Sequence, residues 1–355
     1  MNRTLVALLL STTILGRPAR AGERLVEQSD RDLDARGIAA LSVENPRGAV
    51  RVSPDSGGRI HVKAVKIVRA NDREAAQEFA RETQVSLSTE GGRCRITVRY
   101  PQRRQLHVGL WQMLRGDFDF PAVEIRLAIS APPGLPLELH STSGDLATER
   151  MAGRQELSTT SGEIDVFQAG DAVKASGTSG SVRVSGAGSA WLRSVSGDVT
   201  AESVGGPLDA HTTSGELVVR GARDSLALGT VSGNIRVEGA PRGIVATSTS
   251  GDIEARGAAG GVRLGTASGR VDVGLVPPLR EVDISSSSGD IEARLADGVG
   301  CEVELRTSNG SIDTSLPIEL SSVTRHRVSG RVRGGTTPVV LRTSSGDIRF
   351  GGGGS

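Results

Sequence analysis

Ser-Gly pairs return at a near-constant interval through most of this chain, and no other feature limits its fold as strongly. In "ATSTSGDIEARGAAGGVRLGTASGRVDV", residues 246 to 273, the pair recurs after 18 residues with alternating aliphatics on both sides. Glycines that follow Ser (once Asn) fall at Gly144, Gly162, Gly180, Gly197, Gly215, Gly233, Gly251, Gly269, Gly289, Gly310 and Gly346. Their intervals are 18, 18, 17, 18, 18, 18, 18, 20, 21 and 36, the last being two periods with an irregular insert. A fixed period of this length marks a solenoid, in which each repeat buries its apolar face against its neighbours.

Aligning the repeats on the glycine separates inward from outward positions. Seven and five residues before it stand Leu137 and Leu139, Leu226 and Leu228, Val262 and Leu264, Val303 and Leu305. Two and four residues after it stand Ile164 and Val166, Leu217 and Val219, Ile235 and Val237. This alternation of period 2 belongs to a strand with one buried face, and no repeat holds apolar residues at helical spacing. Three before the glycine, on the inward parity, the residue is always small: Ser141, Thr159, Gly177, Ser194, Thr212, Thr230, Ser248, Thr266, Ser286, Thr307, Thr343. The interior must be narrow there, and a ladder of stacked hydroxyls bonding up and down the column is expected to satisfy their polar atoms.

The glycine is expected to supply the positive φ of a tight corner. A second Gly-rich corner, such as "RGAAGG" 256 to 261, closes each rung. The chain is therefore expected to be all-β: a parallel β-solenoid (β-helix) with two strands and two turns per 18-residue rung, coiled right-handed as parallel crossovers favour. Eleven rungs at about 4.8 Å would make a rod on the order of 50 Å long.

The expected divisions are a leader at 1–21, a first rung and small α+β cap at 22–136, solenoid rungs at 137–316, an insert and last rung at 317–350, and a flexible tail at 351–355. "LSVENPRGAVRV", 41 to 52, fits the rung template and is then interrupted. "NDREAAQEFARET", 71 to 83, reads as one helix with Asn71 or Asp72 as N-cap. Strand-like runs follow at 84–88, 95–100 and 123–129. An atypical end unit is expected, because a solenoid end exposes unpaired strand edges.

The first residues, "MNRTLVALLLSTTILGRPARA", combine Arg3, an apolar run from Leu5 to Leu15 and an Ala19-Arg20-Ala21 cleavage signal, which reads as a secretory signal peptide. No later stretch is apolar enough to span a bilayer as a helix, so an exported protein is expected, periplasmic or at the cell surface. A formal net charge of +1 provides no global field for nucleic acid. Two cysteines, Cys94 and Cys301, allow one bridge or two structural thiols, and neither sits in a metal or redox spacing.

Chemistry is sparse. The residue after each corner glycine is often acidic, but in Asp145, Glu163, Ser181, Asp198, Glu216, Asn234, Asp252, Arg270, Asp290, Ser311 and Asp347 no more than two acids are successive. Ser, Asn or Arg breaks relieve repulsion that a calcium array would keep, and neither a metal nor a cofactor is expected. The five histidines form no metal spacing and no Ser lies in a nucleophile elbow, so no catalytic residue is assigned. His140 and His211 share an outward position, four before the glycine, with Arg193, Arg306 and Arg342, as a mixed solvated face would. Aromatics are scarce, and four of the eight, Tyr100, Trp111, Phe118 and Phe120, cluster in "YPQRRQLHVGLWQMLRGDFDFP", 100 to 121. That segment reads either as a binding loop or as a flap packing its rings on the cap. Trp191 is the one ring expected at an outward strand position, with Phe167 just beyond a strand end, and Trp111, Phe118, Phe120 and Trp191 are the candidate partner contacts.

A first "V-x-N-x-x-G-x-V-x-V" rung, an interrupted strand-rich segment, then serial repeats such as "VATSTSGDIEA" and "VVLRTSSGDIRF" resemble the bacterial putative-adhesin family, β-strand-repeat domains of unknown function. The resemblance spans about residues 38 to 350 and implies an exported, non-enzymatic scaffold that binds an envelope protein or glycan. It carries over no catalytic residues. A β-helix carbohydrate-active enzyme, a polysaccharide lyase or hydrolase, is the alternative, and it would need several acids or a metal converging in a cleft.

Overall fold

The computed structural model describes residues 23–70, 73–101 and 122–353, and divides the chain into two compact units, Met1–Gly162 and Glu163–Ser355. In the first, the described elements are β1 (Glu23–Asp34), β2 (Ala40–Arg47), β3 (Val50–Pro54), β4 (Arg59–Ala70), α1 (Arg73–Glu82), β5 (Gln84–Glu90), β6 (Arg93–Arg99), β7 (Ala122–Ala131), β8 (Leu137–Ser143), β9 (Leu146–Glu149) and β10 (Gln155–Ser161). The second begins with β11 (Ile164–Phe167), β12 (Ala172–Ser179), β13 (Val182–Ser185), β14 (Ser189–Ser196), β15 (Val199–Glu202), β16 (Leu208–Ser214), β17 (Leu217–Arg220), β18 (Leu226–Ser232), β19 (Ile235–Ala240) and β20 (Ile244–Ser250). It continues through β21 (Ile253–Ser268), β22 (Val271–Ser288), β23 (Ile291–Leu295), β24 (Cys301–Asn309), β25 (Ile312–Thr314), β26 (Ile318–Thr324), β27 (Arg327–Val332), β28 (Pro338–Ser345) and β29 (Ile348–Gly352). The chain is all-β apart from the single helix among the described residues.

The 18-residue period appears directly as strand register in the second unit. Leading strands pair in parallel, with Leu208 beside Leu226 and then Ile244, while trailing strands pair separately, with Leu217 beside Ile235 and then Ile253. The alternating aliphatics meet inside: Leu226, Leu228, Ile235, Val237, Ile253 and Leu264 are all buried.

The corner glycines serve a second need beside the positive φ expected of them. That φ is found at some corners: Gly48 at 100° and Gly180 at 127° lie well within the positive region, and Gly162, Gly251, Gly269, Gly289 and Gly346 lie at its edge, between 156 and 159°. What excludes a side chain is the neighbouring rung. A Cβ on Gly215, Gly233, Gly251 or Gly269 would stand well within 3.0 Å of the carbonyl oxygen of the preceding corner glycine.

The hydroxyl column also works differently. Most of its members bond backbone and not each other: Thr212 Oγ1 donates to Gly197 O at 3.2 Å, Ser248 Oγ to Gly233 O at 3.2 Å, and Thr266 Oγ1 to Gly251 O at 3.1 Å. The hydroxyls of Ser141, Ser194 and Thr230 are buried without a partner among the described residues, and elsewhere in the column the carbonyls that forbid a Cβ are the acceptors that satisfy the buried hydroxyls.

The ends depart from serial stacking, and in each unit the terminal rung is tucked one place inward. In the second unit β28 lies between β22 and β24, with Ile284 beside Leu341 and Leu341 beside Leu305. In the same way β29 lies between β23 and β25. The last rung is therefore inserted ahead of the rung that precedes it in sequence, and the insert from 317 forms a β26–β27 hairpin whose β27 pairs antiparallel with β24. Gly351 and Gly352 continue β29 beside Arg294 and Leu295, where a flexible tail was expected.

In the first unit, β2 and β3 likewise sit inside. Leu41 of β2 neighbours both Leu137 of β8 and Cys94 of β6, and Val50 of β3 neighbours both Leu146 of β9 and Leu127 of β7. The interruption after the first rung is thus an excursion that returns to build one further strand pair outside it. Antiparallel β5 then lines β6, and antiparallel β4 and β1 continue outward from β7. The long β1–β4 pair was not foreseen, because β1 alternates between exposed and half-buried polar residues and lacks the buried aliphatics that mark a rung. Helix α1 packs Ala76 and Ala80 on Val68, Ala70 and Val123, and its expected N-caps, Asn71 and Asp72, lie outside the described residues.

Two substitutions test this packing by thermal melts. Leu228→Ala, at a side chain 2% exposed, should cost about 2 to 5 kcal/mol, and Leu228→Asp more, since it buries an unpaired charge. Gly251→Ala should cost at least about 1 to 3 kcal/mol through overpacking. A melt equal to the parent's for Gly251→Ala would mean that the corners are not in contact.

Candidate binding face

On the leading strands of the second unit, the outward residues form rows running across the strands. One row reads Lys174, Trp191, Asp209, Ala227, Val245, Arg263; the next reads Ser176, Arg193, His211, Gly229, Thr247, Gly265. Trp191 is 37% exposed and lies beside two cations, with Arg193 Cζ 4.3 Å and Lys174 Nζ 5.5 Å from its ring centroid. Both contacts help to hold the indole in place.

Beside the indole, Asp209 Oδ1 accepts from Arg193 Nη1 at 2.6 Å and stands 3.0 Å from His211 Nε2. Desolvation on the sheet, reinforced by the Arg193 charge, pushes the His211 imidazole below its ordinary pKa despite the opposing pull of Asp209. His211 also explains a glycine outside the corners. Its ring lies over Gly229, and a Cβ there would overlap Nδ1. Small and uncharged residues continue the face, with Val195, Val231 and Val245 44 to 48% exposed. Asp209, Lys174 and the packing of His211 on Gly229 were missed from sequence. Arg193 and His211 share a rung position there, but only the register sets both beside Trp191.

Trp111, Phe118 and Phe120 lie outside the described residues. The strands on either side of their segment are described: β6 pairs with β2 and β7 with β3, as the two arms of one rung. Tyr100 packs against the helix cluster, donates its hydroxyl to Asn45 Oδ1 at 3.0 Å and also reaches the Arg47 carbonyl, so this aromatic of the segment is structural. Asn45 takes the small-residue position of its rung, and its amide bridges Gly48 O at 2.9 Å and Ile125 O at 2.8 Å.

The corner acids have a backbone task. Asp198 Oδ1 accepts Glu216 N–H at 2.9 Å, Asn234 Oδ1 accepts Asp252 N–H at 2.9 Å, and Asp252 Oδ1 accepts Arg270 N–H at 2.7 Å. Asp290 and Asp347 repeat the pattern, and bonds from Ser311 N–H and Oγ–H hold the Asp347 carboxyl below the usual range. The longer Glu163 and Glu216 reach Arg183 and Arg236 instead. Among the described residues, no three His, Cys, Asp or Glu side chains converge on a metal-sized site. Cys94 and Cys301 are both free and buried, each raised to about 11 by desolvation.

Strand arms stacked in parallel at an 18-residue register, closed by glycine corners, define an all-β repeat protein of solenoid-like build. Residues 81–255 and 244–350 match the Toastrack DUF4097 family, a domain of unknown function, and the chain belongs to that family. No curated protein matches it. Among solved structures it is similar to a putative lipid binding protein from Parabacteroides distasonis, at 12% identity over 91% of this chain and 96% of that one, with a TM-score of 0.31. A putative adhesin from the same organism matches at 9% identity over 91% and 96%, with a TM-score of 0.29. A putative cell adhesion protein from Clostridium sporogenes matches at 9% identity over 92% and 100%, with a TM-score of 0.21. With TM-scores this low, nothing about binding follows from those names.

Two measurements check the geometry. Asp252→Ala should lower the melting temperature while Asp252→Asn keeps it, because Asn234 already fills the same position one rung earlier. The depressed His211 means that the unfolded chain binds the proton more readily, so this residue costs stability as pH falls below about 6.5. Between pH 7 and 5 the melting temperature should accordingly drop less in His211→Gln than in the parent.

Proposed function

We propose that this protein is an exported, non-enzymatic binding scaffold, periplasmic or surface-exposed, whose flat leading-strand face engages an envelope partner, with a glycan favoured. The observation that carries this reading is Trp191: a large ring, 37% exposed on the strand face, with Arg193 and Lys174 close by. An indole offers a stacking surface to a sugar ring, while Asp209, His211 and Arg193 alongside supply acceptors and donors for its hydroxyls. A flat pleat admits an extended chain without a cleft, which suits capture better than catalysis. The secretion signal of residues 1–21 supports export, and among the described residues no helix is long and apolar enough to cross a membrane. Right-handed coiling completes the proposed architecture, as a right-twisted strand returning to its own sheet favours it.

The test is a glycan panel and an envelope-extract pull-down, comparing the parent with Trp191→Ala and with the Trp111→Ala, Phe118→Ala pair. Trp191→Ala is expected to melt like the parent and to weaken glycan capture at least about tenfold, a loss near 1.4 kcal/mol. Loss of capture in the Trp111, Phe118 pair alone would move the contact to the 100–121 segment. Undiminished glycan capture by Trp191→Ala would remove the face from the proposal, and release of reducing ends from a polysaccharide would favour the carbohydrate-active alternative.

A further inference from the structure

The inward placement of the last rung creates a feature absent from the linear repeat. Across β22, β28, β24 and β27 the outward row runs Ser285, Arg342, Arg306, Arg327, each directly beside the next. Three arginines on successive strands stand about 4.8 Å apart at the backbone, where like charges oppose one another. Arg342 and Arg306 are brought together from 36 residues apart, and Arg327 is supplied by the hairpin that lines β24.

These three arginines share two carboxylates. Glu304 takes both Arg306, through Nε at 2.9 Å, and Arg327, through Nη2 at 2.6 Å, while Asp283 takes Arg342 at 3.3 Å. One positive charge is left over in the cluster. The acidic row on the trailing strands is handled otherwise. Glu254, Asp272 and Glu292 are matched by Arg236, Arg256 and Arg294. The arginine row also borders a basin of about 460 Å³ whose remaining wall is hydroxyl and imidazole, with Ser308, Ser344 and His326. The three arginine side chains are 45 to 48% exposed and carry N–H donors beyond those that the two acids occupy.

We infer that this basin is an oxyanion site, built to take a phosphate or sulfate ester between the Arg342–Arg306–Arg327 row and the Ser308, Ser344 hydroxyls. A guanidinium fork matches two oxygens of such a group, and a tetrahedral anion has further oxygens to accept from the serines. The surplus charge selects the sign, and the concave, hydroxyl-lined wall selects an ester over an apolar partner. Its nearest arginine, Arg342, lies about six strand spacings, roughly 29 Å, from Trp191 along the same face, and the site does not depend on the glycan reading.

Calorimetric titration of the full chain with sodium phosphate and sodium sulfate, against chloride at matched ionic strength, tests the site. Saturable binding with a Kd on the order of 1 mM is expected, weakened at least about tenfold by Arg342→Gln and less by Arg342→Lys, which keeps the charge but loses the fork. Arg327→Gln, on the edge hairpin, provides the same comparison should Arg342→Gln lower the melting temperature. Two further titrants distinguish the source. Tighter binding of a sugar monophosphate than of inorganic phosphate places the ester on a glycan, while binding to phosphatidate-containing vesicles that Arg342→Gln abolishes places it on a lipid headgroup. No saturable binding of phosphate, sulfate or sugar phosphate up to about 50 mM, or equal binding by parent and both glutamine variants, overturns the site.

Discussion

The contact between successive corner glycines is the constraint on which the rest of the structure depends. Each corner carbonyl sits where the next rung's Cβ would otherwise be. Rungs can therefore approach to strand spacing at the corner only if every rung carries glycine there. The same carbonyls accept from the Ser/Thr column, and the Asp or Asn after the glycine accepts the backbone N–H one rung on. Three residues of the repeat thus act as one hydrogen-bonded corner whose parts lie 15 to 18 residues apart.

Given such corners, the interior needs only small aliphatic side chains, and the chain can build a buried core with very few aromatic residues. The ends are where this economy fails, because the outermost strands have no further rung to pair with. Each unit answers in the same way: the rung nearest the chain terminus is enclosed, and antiparallel strands line the rung outside it. The outer leading strand is thereby covered in both units, and residues distant in sequence become neighbours.

Outward positions are free of the packing constraint, which is why the repeat tolerates such varied side chains there. Many on the trailing strands are matched charges, as in the arginine and carboxylate pairs there. Two places differ in kind: the held indole beside Asp209 and His211, and the unevenly matched arginine row. Both lie on the leading-strand face of the second unit, the arginine row extended by the hairpin strand β27, where neighbouring side chains are offered to a partner without disturbing the core.

The period, the inward and outward parity, the positions of the corners and the family resemblance were all legible in the residues, because a stacked repeat repeats its physical demands. Cap strands 84–90, 93–99 and 122–131 and the single helix were legible for the same reason of local periodicity. Backbone conformation, which the sequence suggested, is only part of the cause of the glycine requirement, since a carbonyl from the adjacent rung is invisible in one rung's sequence. Trp191 could be placed outward from parity alone, but its neighbours Lys174, Asp209 and His211 follow from register across strands. The order of the rungs was beyond reach. Serial spacing makes β28 look terminal, and only tertiary pairing, which encloses the last rung to protect its edges, sets Arg342 beside Arg306.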